Sequence, residues 1–243
     1  QDRVKPVHFI STISVFPSQA TVPIIHESDR LEDYPTPVGG YAQSKWVAER
    51  LVSIARDRGL PVSIYRPGPI SGHSQTGVFN ASDFLYRLIS GYVQLGSAPE
   101  GEVSLDILPV DYVSRAIISL SQRNSTIGQS FHLLHPQPVS SNRLFDYLCS
   151  RGYRMQRIPY DQWRDKLLTI AESSPDHVLY PLVTLFPRDQ IQRQPEYQTV
   201  QFDCRNTWTE LQESAIECPA IDEKLFEIYL SYLIQHQFLK PPP

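Results

Sequence analysis

Tyr41 and Lys45 stand four residues apart in Gly40-Tyr41-Ala42-Gln43-Ser44-Lys45. On a helix that spacing puts a phenol and an ammonium on one face, one turn apart. A free phenol ionises at about pH 10, and a neighbouring ammonium favours the ionised form. Such a pair suits proton donation to a carbonyl oxygen near neutral pH. The bare pattern is common, and an exposed Lys one turn below a half-buried Tyr is spelled the same way. A hydroxyl from a nearby strand end would give the carbonyl oxygen a second hydrogen bond. Thr12 stands where that hydroxyl is wanted, with Ser11 and Ser14 as competitors. Alternation along a strand puts Ser11 on the face opposite Thr12.

These groups need a strand to deliver Thr12 and a helix to carry Tyr41. Lys5-Pro6-Val7-His8-Phe9-Ile10-Ser11 reads as a short buried strand. Residues 17–40 hold Pro17, Pro23, Pro35, Pro37, Gly39 and Gly40 and read as a long irregular loop, a kind that is usually functional. A helix is expected over 40–58, rich in Ala, Leu, Glu and Arg, with Gly59 as its C-terminal cap. Pro61 to Arg66 reads as a buried strand, and helix followed by strand fits a parallel sheet. Residues 67–78 form a second irregular loop. Asn80 is expected to cap a helix from Ala81 to Ser90, closed by Gly91. A strand near 105–108, a helix over 111–122 capped by Asp111, and a strand at 131–134 follow. From 141 the pattern turns helical, over 141–150, 160–172, 177–186 and 221–237. Tyr160, Trp163 and Tyr180 fall at helical spacing and read as core.

The bulk numbers narrow the partners. A formal net charge of −4 with scattered Lys and Arg gives no basic surface for nucleic acid or an anionic membrane. No apolar run approaches the roughly 20 residues that span a bilayer. Cys149, Cys204 and Cys218 form no C-x-x-C pair and read as reduced cysteines of a cytoplasmic protein. The seven His show no metal-ligand spacing.

Read together, the motifs resemble extended short-chain dehydrogenases. Phe9-Ile10-Ser11-Thr12-Ile13-Ser14-Val15-Phe16 is similar to their strand-end motif, in which the second hydroxyl of the pair is catalytic. Tyr41 and Lys45 match the family's Tyr and Lys. Ile64-Tyr65-Arg66-Pro67-Gly68-Pro69-Ile70-Ser71-Gly72 resembles the segment whose backbone lies against the nicotinamide. The flanks Trp46-Val47-Ala48-Glu49 and Thr76-Gly77-Val78-Phe79-Asn80-Ala81-Ser82-Asp83-Phe84 resemble the thioester reductase domains of nonribosomal peptide and polyketide synthetases. So do Pro109 to Val113, Phe202 to Thr207 and the helix near the C-terminus.

The resemblance implies an α/β fold, a partial Rossmann-type, doubly wound, mainly parallel sheet over 1–140. A mostly helical substrate and carrier-protein-binding subdomain would occupy 141–243. It implies Thr12, Tyr41 and Lys45 as catalytic residues. Tyr41, Lys45, Pro67, Gly68 and Ile70 would meet NADPH, while Ser14, Phe79 and Asn80 would meet substrate. Arg66 would be structural. The reaction would be reduction of an acyl or peptidyl thioester on a phosphopantetheinylated carrier protein to an aldehyde, or onward to an alcohol. The sequence holds no G-x-G-x-x-G turn for the pyrophosphate. The N-terminal dinucleotide-binding half of the same domain is therefore expected in about 120–150 residues before Gln1. This chain would be an incomplete fragment, inactive alone, with an apolar flank of sheet exposed. Two other readings stay open. One is an extended short-chain dehydrogenase acting on a free acyl-CoA or sugar nucleotide. The other is a non-catalytic module that binds carrier protein.

Overall fold

A computed structural model describes residues 5–20, 24–80, 83–171, 179–186 and 198–243. Its helices are α1 (Gly40–Asp57), α2 (Phe84–Leu95), α3 (Val110–Ser121), α4 (Ser141–Ser150), α5 (Tyr160–Ala171), α6 (Tyr180–Leu185), α7 (Arg205–Leu211) and α8 (Glu223–Gln235). The chain divides into two compact units. The first joins residues 1–68, 111–135 and 193–218, and the second joins 69–110, 136–192 and 219–243. A single cut after residue 140 therefore does not describe the backbone. Residues 69–110 group with the helical part, and 193–218 return to the sheet.

The first unit is built on a parallel three-stranded sheet, in the order Val7–Ile10, Val62–Pro67, Ser130–Leu133. Parallel neighbours need a crossover, and α1 makes the first one. The central strand is buried at every position, as its run of Val, Ser, Ile and Tyr requires between two neighbours. Phe9 pairs with Ile64 and Tyr65 with Phe131. The edge strand Val7–Ile10 is more open, with Val7 38% and Ile10 42% exposed. Val47, Leu51, Ile54 and Leu60 on and just after α1 are exposed too, so this unit carries the apolar flank that the sequence suggests.

Helix α1 ends as expected. Gly59 takes φ +96°, and the N–H groups of Leu60 and Gly59 reach back to the carbonyls of Ala55 and Arg56. That bond pattern is a Schellman cap, which a Cβ at Gly59 would strain. The loop before α1 is less irregular than its prolines suggest. Ile24–Ile25 pairs in parallel with Gln201–Phe202, and Gln19–Ala20 pairs with Gln198–Thr199. Val15, Phe16, Ile25, Leu31 and Val200 close a small core beneath it.

The second unit packs α2, α4, α5, α6 and α8 around one apolar core that includes Trp163, fully buried, with its indole N–H on the Ser97 carbonyl at 3.0 Å. Two boundaries differ from the sequence reading. Helix α2 starts at Phe84 with Asp83 in the cap position, not Asn80, and it runs through Gly91 to Gly96 in the left-handed region. Gly91 lies inside the helix, where a Cβ would meet the Leu182 side chain at 3.2 Å, a close fit. Asp111 lies in the first turn of α3 and pairs with Arg115 one turn on, at 3.2 Å. Ala81, Ser82 and the start of the helix expected over 177–186 lie outside the described residues.

Candidate active site

Helix α1 begins where Gly39, at φ +98°, turns the chain out of the loop and Gln43 donates to the Gly39 carbonyl at 3.0 Å. Tyr41 therefore sits in the first turn and Lys45 one turn later. The Lys45 ammonium donates to the carbonyl of Ile10 at 2.7 Å and lies 5.1 Å above the Phe9 ring. This ties the helix to the end of the first strand, two residues before Thr12. Thr12 opens a 3₁₀ turn over Ile13–Val15 and caps it, its hydroxyl accepting the Ser14 N–H at 3.3 Å. The same hydroxyl donates to Ser14 Oγ at 3.4 Å. Thr12 and Ser14 are thus one hydroxyl cluster. Ser11 is buried, and its Oγ has no partner among the described residues.

Tyr41 is 65% exposed, and no group among the described residues bonds its hydroxyl. A Lys ammonium has three N–H donors, and Lys45 spends one on Ile10. The free donors and the open phenol fit the ribose and carbonyl end of a nicotinamide cofactor with its substrate. Pro67 and Gly68 continue the central strand, and the Gly68 N–H donates to Leu133 O at 2.8 Å. A Cβ on Gly68 would come to 2.7 Å from the Leu134 side chain, so the strand end passes close beneath that loop.

The remaining residues singled out from sequence fall in the second unit. Ile70 pairs with Leu108. Phe79 packs edge-on to Tyr232 and lines an apolar cavity with Ser71, Tyr86, Ile89 and Leu233. Asp83 lies on the wall of that cavity, and burial raises its carboxyl. Asn80 is exposed, its carbonyl accepting the Asp83 N–H at 2.9 Å. In the turn before Phe79, the His73 ring nitrogen accepts the Gln75 N–H at 3.1 Å.

Sequence reasoning missed a buried polar cluster behind the site. Glu27 accepts N–H bonds from His132, Asn206 and Thr207 and the Thr207 hydroxyl at 2.6 Å. Its carboxylate thereby closes the exposed donors at the start of α7. Burial nevertheless raises the Glu27 carboxyl above its ordinary value. His132 Nε2 faces the Arg66 guanidinium at 3.1 Å, which can only donate. Its proton therefore sits on Nδ1, on the Asp203 carbonyl at 2.9 Å. Burial, then Arg66, push its pKa down to about 3, so this imidazole is neutral. A charged Arg66 within an apolar strand was the available signal, because a buried charge requires partners.

Comparison with known proteins adds a lineage. Residues 1–117 match an NAD-binding family model described as male sterility protein. The chain is 35% identical over 237 residues to a linear gramicidin synthase polypeptide of Brevibacillus parabrevis, across 95% of this chain and 4% of that protein. It is 36% identical over 214 residues to the L-2-aminoadipate reductase large subunit of Eremothecium gossypii, across 84% of this chain and 15% of that protein. It thus spans only a small part of either relative. The crystal structure of the terminal R domain from the myxalamid PKS-NRPS pathway superposes with a TM-score of 0.86 at 43% identity, over 99% of this chain and 60% of that one.

Proposed function

We infer that the chain belongs with the NAD-binding family described as male sterility protein, whose model matches residues 1–117, and with the terminal reductase domains of nonribosomal peptide and polyketide synthetases. On that premise we propose that it takes part in the NADPH-dependent reductive release of an acyl or peptidyl group. That group is held as a thioester on a phosphopantetheinylated carrier protein, and release gives an aldehyde. A nicotinamide cofactor follows from the family, while the choice of NADPH is part of the proposal. So is a cytoplasmic setting, supported by Cys149, Cys204 and Cys218, none of which forms a disulfide.

The observation that carries the reading is the bond from Lys45 to the Ile10 carbonyl at 2.7 Å. It holds the Tyr41 face of α1 against the strand end that leads into Thr12. The bound cofactor supplies the hydride. Tyr41 donates the proton to the carbonyl oxygen as charge develops there, and Thr12 gives that oxygen a second hydrogen bond. The Ser14 N–H, donating to Thr12 Oγ at 3.3 Å, holds that oxygen in place, and the Thr12 O–H would turn from Ser14 Oγ, 3.4 Å away, to the substrate. Lys45 would hold the nicotinamide ribose with its remaining donors. The backbone at Pro67 and Gly68, in the first unit, would meet the nicotinamide amide. Phe79 and Asn80, in the second unit, meet the acyl chain, and that unit docks the carrier. These 243 residues contain no G-x-G-x-x-G turn for the pyrophosphate.

The test uses the longest polypeptide that carries this sequence, offered an acyl thioester on carrier protein, the matching acyl-CoA, and NADPH. Aldehyde is expected from the carrier-bound thioester. Tyr41→Phe is expected to lower kcat by about a hundredfold or more, the usual share of a positioned proton donor. An unchanged rate in Tyr41→Phe would sink the mechanism. Equal turnover of the acyl-CoA would place the substrate among free thioesters.

A further inference from the structure

Arg66 is 2% exposed and is the penultimate residue of the buried central strand, immediately before Pro67 and Gly68. Its guanidinium uses its donors in several directions. Nε and Nη2 both donate to Glu49 Oε1, at 3.0 and 2.8 Å. Nη1 donates to the Glu27 carbonyl at 3.2 Å and to His132 Nε2 at 3.1 Å. Its centre lies 4.8 Å from the centroid of the Phe16 ring.

Two of these partners, Glu49 and Phe16, belong to elements that carry a proposed site residue. Tyr41, Lys45 and Glu49 form one ridge of α1, and each step of four residues drifts only about 40° around the axis. Glu49 therefore lies about 12 Å below Tyr41 on the same side. Phe16 closes the 3₁₀ turn that Thr12 opens. Pro67 and Gly68 follow Arg66 directly. One fixed, planar group thus meets the helix of the proton donor, the turn of the second hydroxyl and the strand end assigned to the nicotinamide.

We infer that Arg66, braced by Glu49, is a positioning residue that sets these three elements in register without touching substrate or cofactor. Stability alone does not call for an ion pair here, because well-packed apolar side chains often hold such a place equally well. A guanidinium adds direction, since its donors leave at fixed angles that an ammonium cannot reproduce. The neutral His132 keeps the cluster unchanged through the physiological pH range, because its own acceptor is committed to Arg66. Misplacing a reacting group by about 1 Å can cost about a hundredfold in rate. The inference rests on the proposed reduction for its reaction, and on geometry alone for its positioning.

Two variants test it: Arg66→Lys, and the apolar pair Arg66→Met with Glu49→Leu. In this chain, amide hydrogen exchange is read by mass spectrometry over residues 10–18 and 40–49, with 84–95 and 223–235 as controls. In the longest polypeptide carrying the sequence, kcat and KM for NADPH and carrier-bound thioester are read per folded site. Faster exchange confined to 10–18 and 40–49, with kcat down about 10- to 100-fold and KM for NADPH nearly unchanged, supports the inference. If Arg66→Lys does not fold, the apolar pair decides alone. A folded apolar pair with full kcat overturns it, as does exchange that rises equally in the control helices. If the unaltered polypeptide reduces no thioester, the proposed reaction fails, while the exchange result still decides the positioning.

Discussion

Gly77 offers a measurable test of how tightly the turn before Phe79 is built. Its φ is +72°, and its N–H donates to the His73 carbonyl at 2.9 Å. A Cβ at that position would lie 2.7 Å from the Ile228 carbonyl oxygen and 2.7 Å from Tyr232 Cβ, both on α8. Gly77→Ala therefore carries two costs. The left-handed backbone costs a residue with a Cβ about 1–2 kcal/mol. The overlap with a backbone carbonyl cannot be relieved by a rotamer change, and overpacking of this kind costs about 1–3 kcal/mol. Their sum is about 2–5 kcal/mol, or a drop in Tm of about 5–15 °C for a chain of this size. Gly101 isolates the first cost, because its φ is +107° and a Cβ there meets nothing within 4 Å. Thermal and urea unfolding of Gly77→Ala, Gly101→Ala and the parent chain would give both numbers. Equal losses in the two variants would refute the close packing of this turn on α8.

Two further outcomes follow from single residues. Tyr229→Phe removes the hydroxyl that donates to the Gly72 carbonyl at 2.7 Å and meets Ser71 Oγ at 2.9 Å, both buried. It should cost about 1–3 kcal/mol by urea unfolding, and a neutral result would mean that those groups find other partners. Arg205, followed by His26, holds the Asp203 carboxyl well below the usual carboxylate range. A carboxyl lowered in the folded state stabilises above its unfolded pKa of about 3.9 and loses that share as pH falls through the folded value. Asp203→Asn should therefore be less stable than the parent at pH 6, with the gap closing below about pH 4. A gap that stays constant over that range would remove Asp203 from the acid response.

How much of this was legible in the sequence depends on where each residue's partners lie. Tyr41, Lys45, Gly39 and Gly59 work through neighbours within one or two helical turns, so their spacing announces α1 and both of its ends. The strand at 62–67 was legible because Val62, Ile64 and Tyr65 favour a strand and follow closely on a helix. Gly91 misled because a glycine after a helical run usually stops it, whereas here Leu182 decides, and its closeness is tertiary. The pairing of 24–25 with 201–202 and the capping of α7 by Glu27 join segments far apart in the chain. Two-residue strands leave no periodicity to read, so nothing local announces either contact. The division into two units was hidden for the same reason, since each unit draws on three separate stretches of the chain.

The buried cluster shows where such reading can be pushed further. Arg66 sits in Val62–Pro67 among residues that are all buried, and Glu49 is the one residue α1 buries completely. A guanidinium inside a central strand costs several kcal/mol unless a carboxylate answers it, and Glu49 lies one turn beyond a catalytic-looking Lys on the preceding helix. Parallel crossover geometry packs that helix over this strand. The two could therefore be matched on paper, before any coordinates, from a charge in the wrong place and an acid on the right face. Glu27 resists the same treatment. Its donors are backbone N–H groups of Asn206 and Thr207, which every sequence possesses and none advertises.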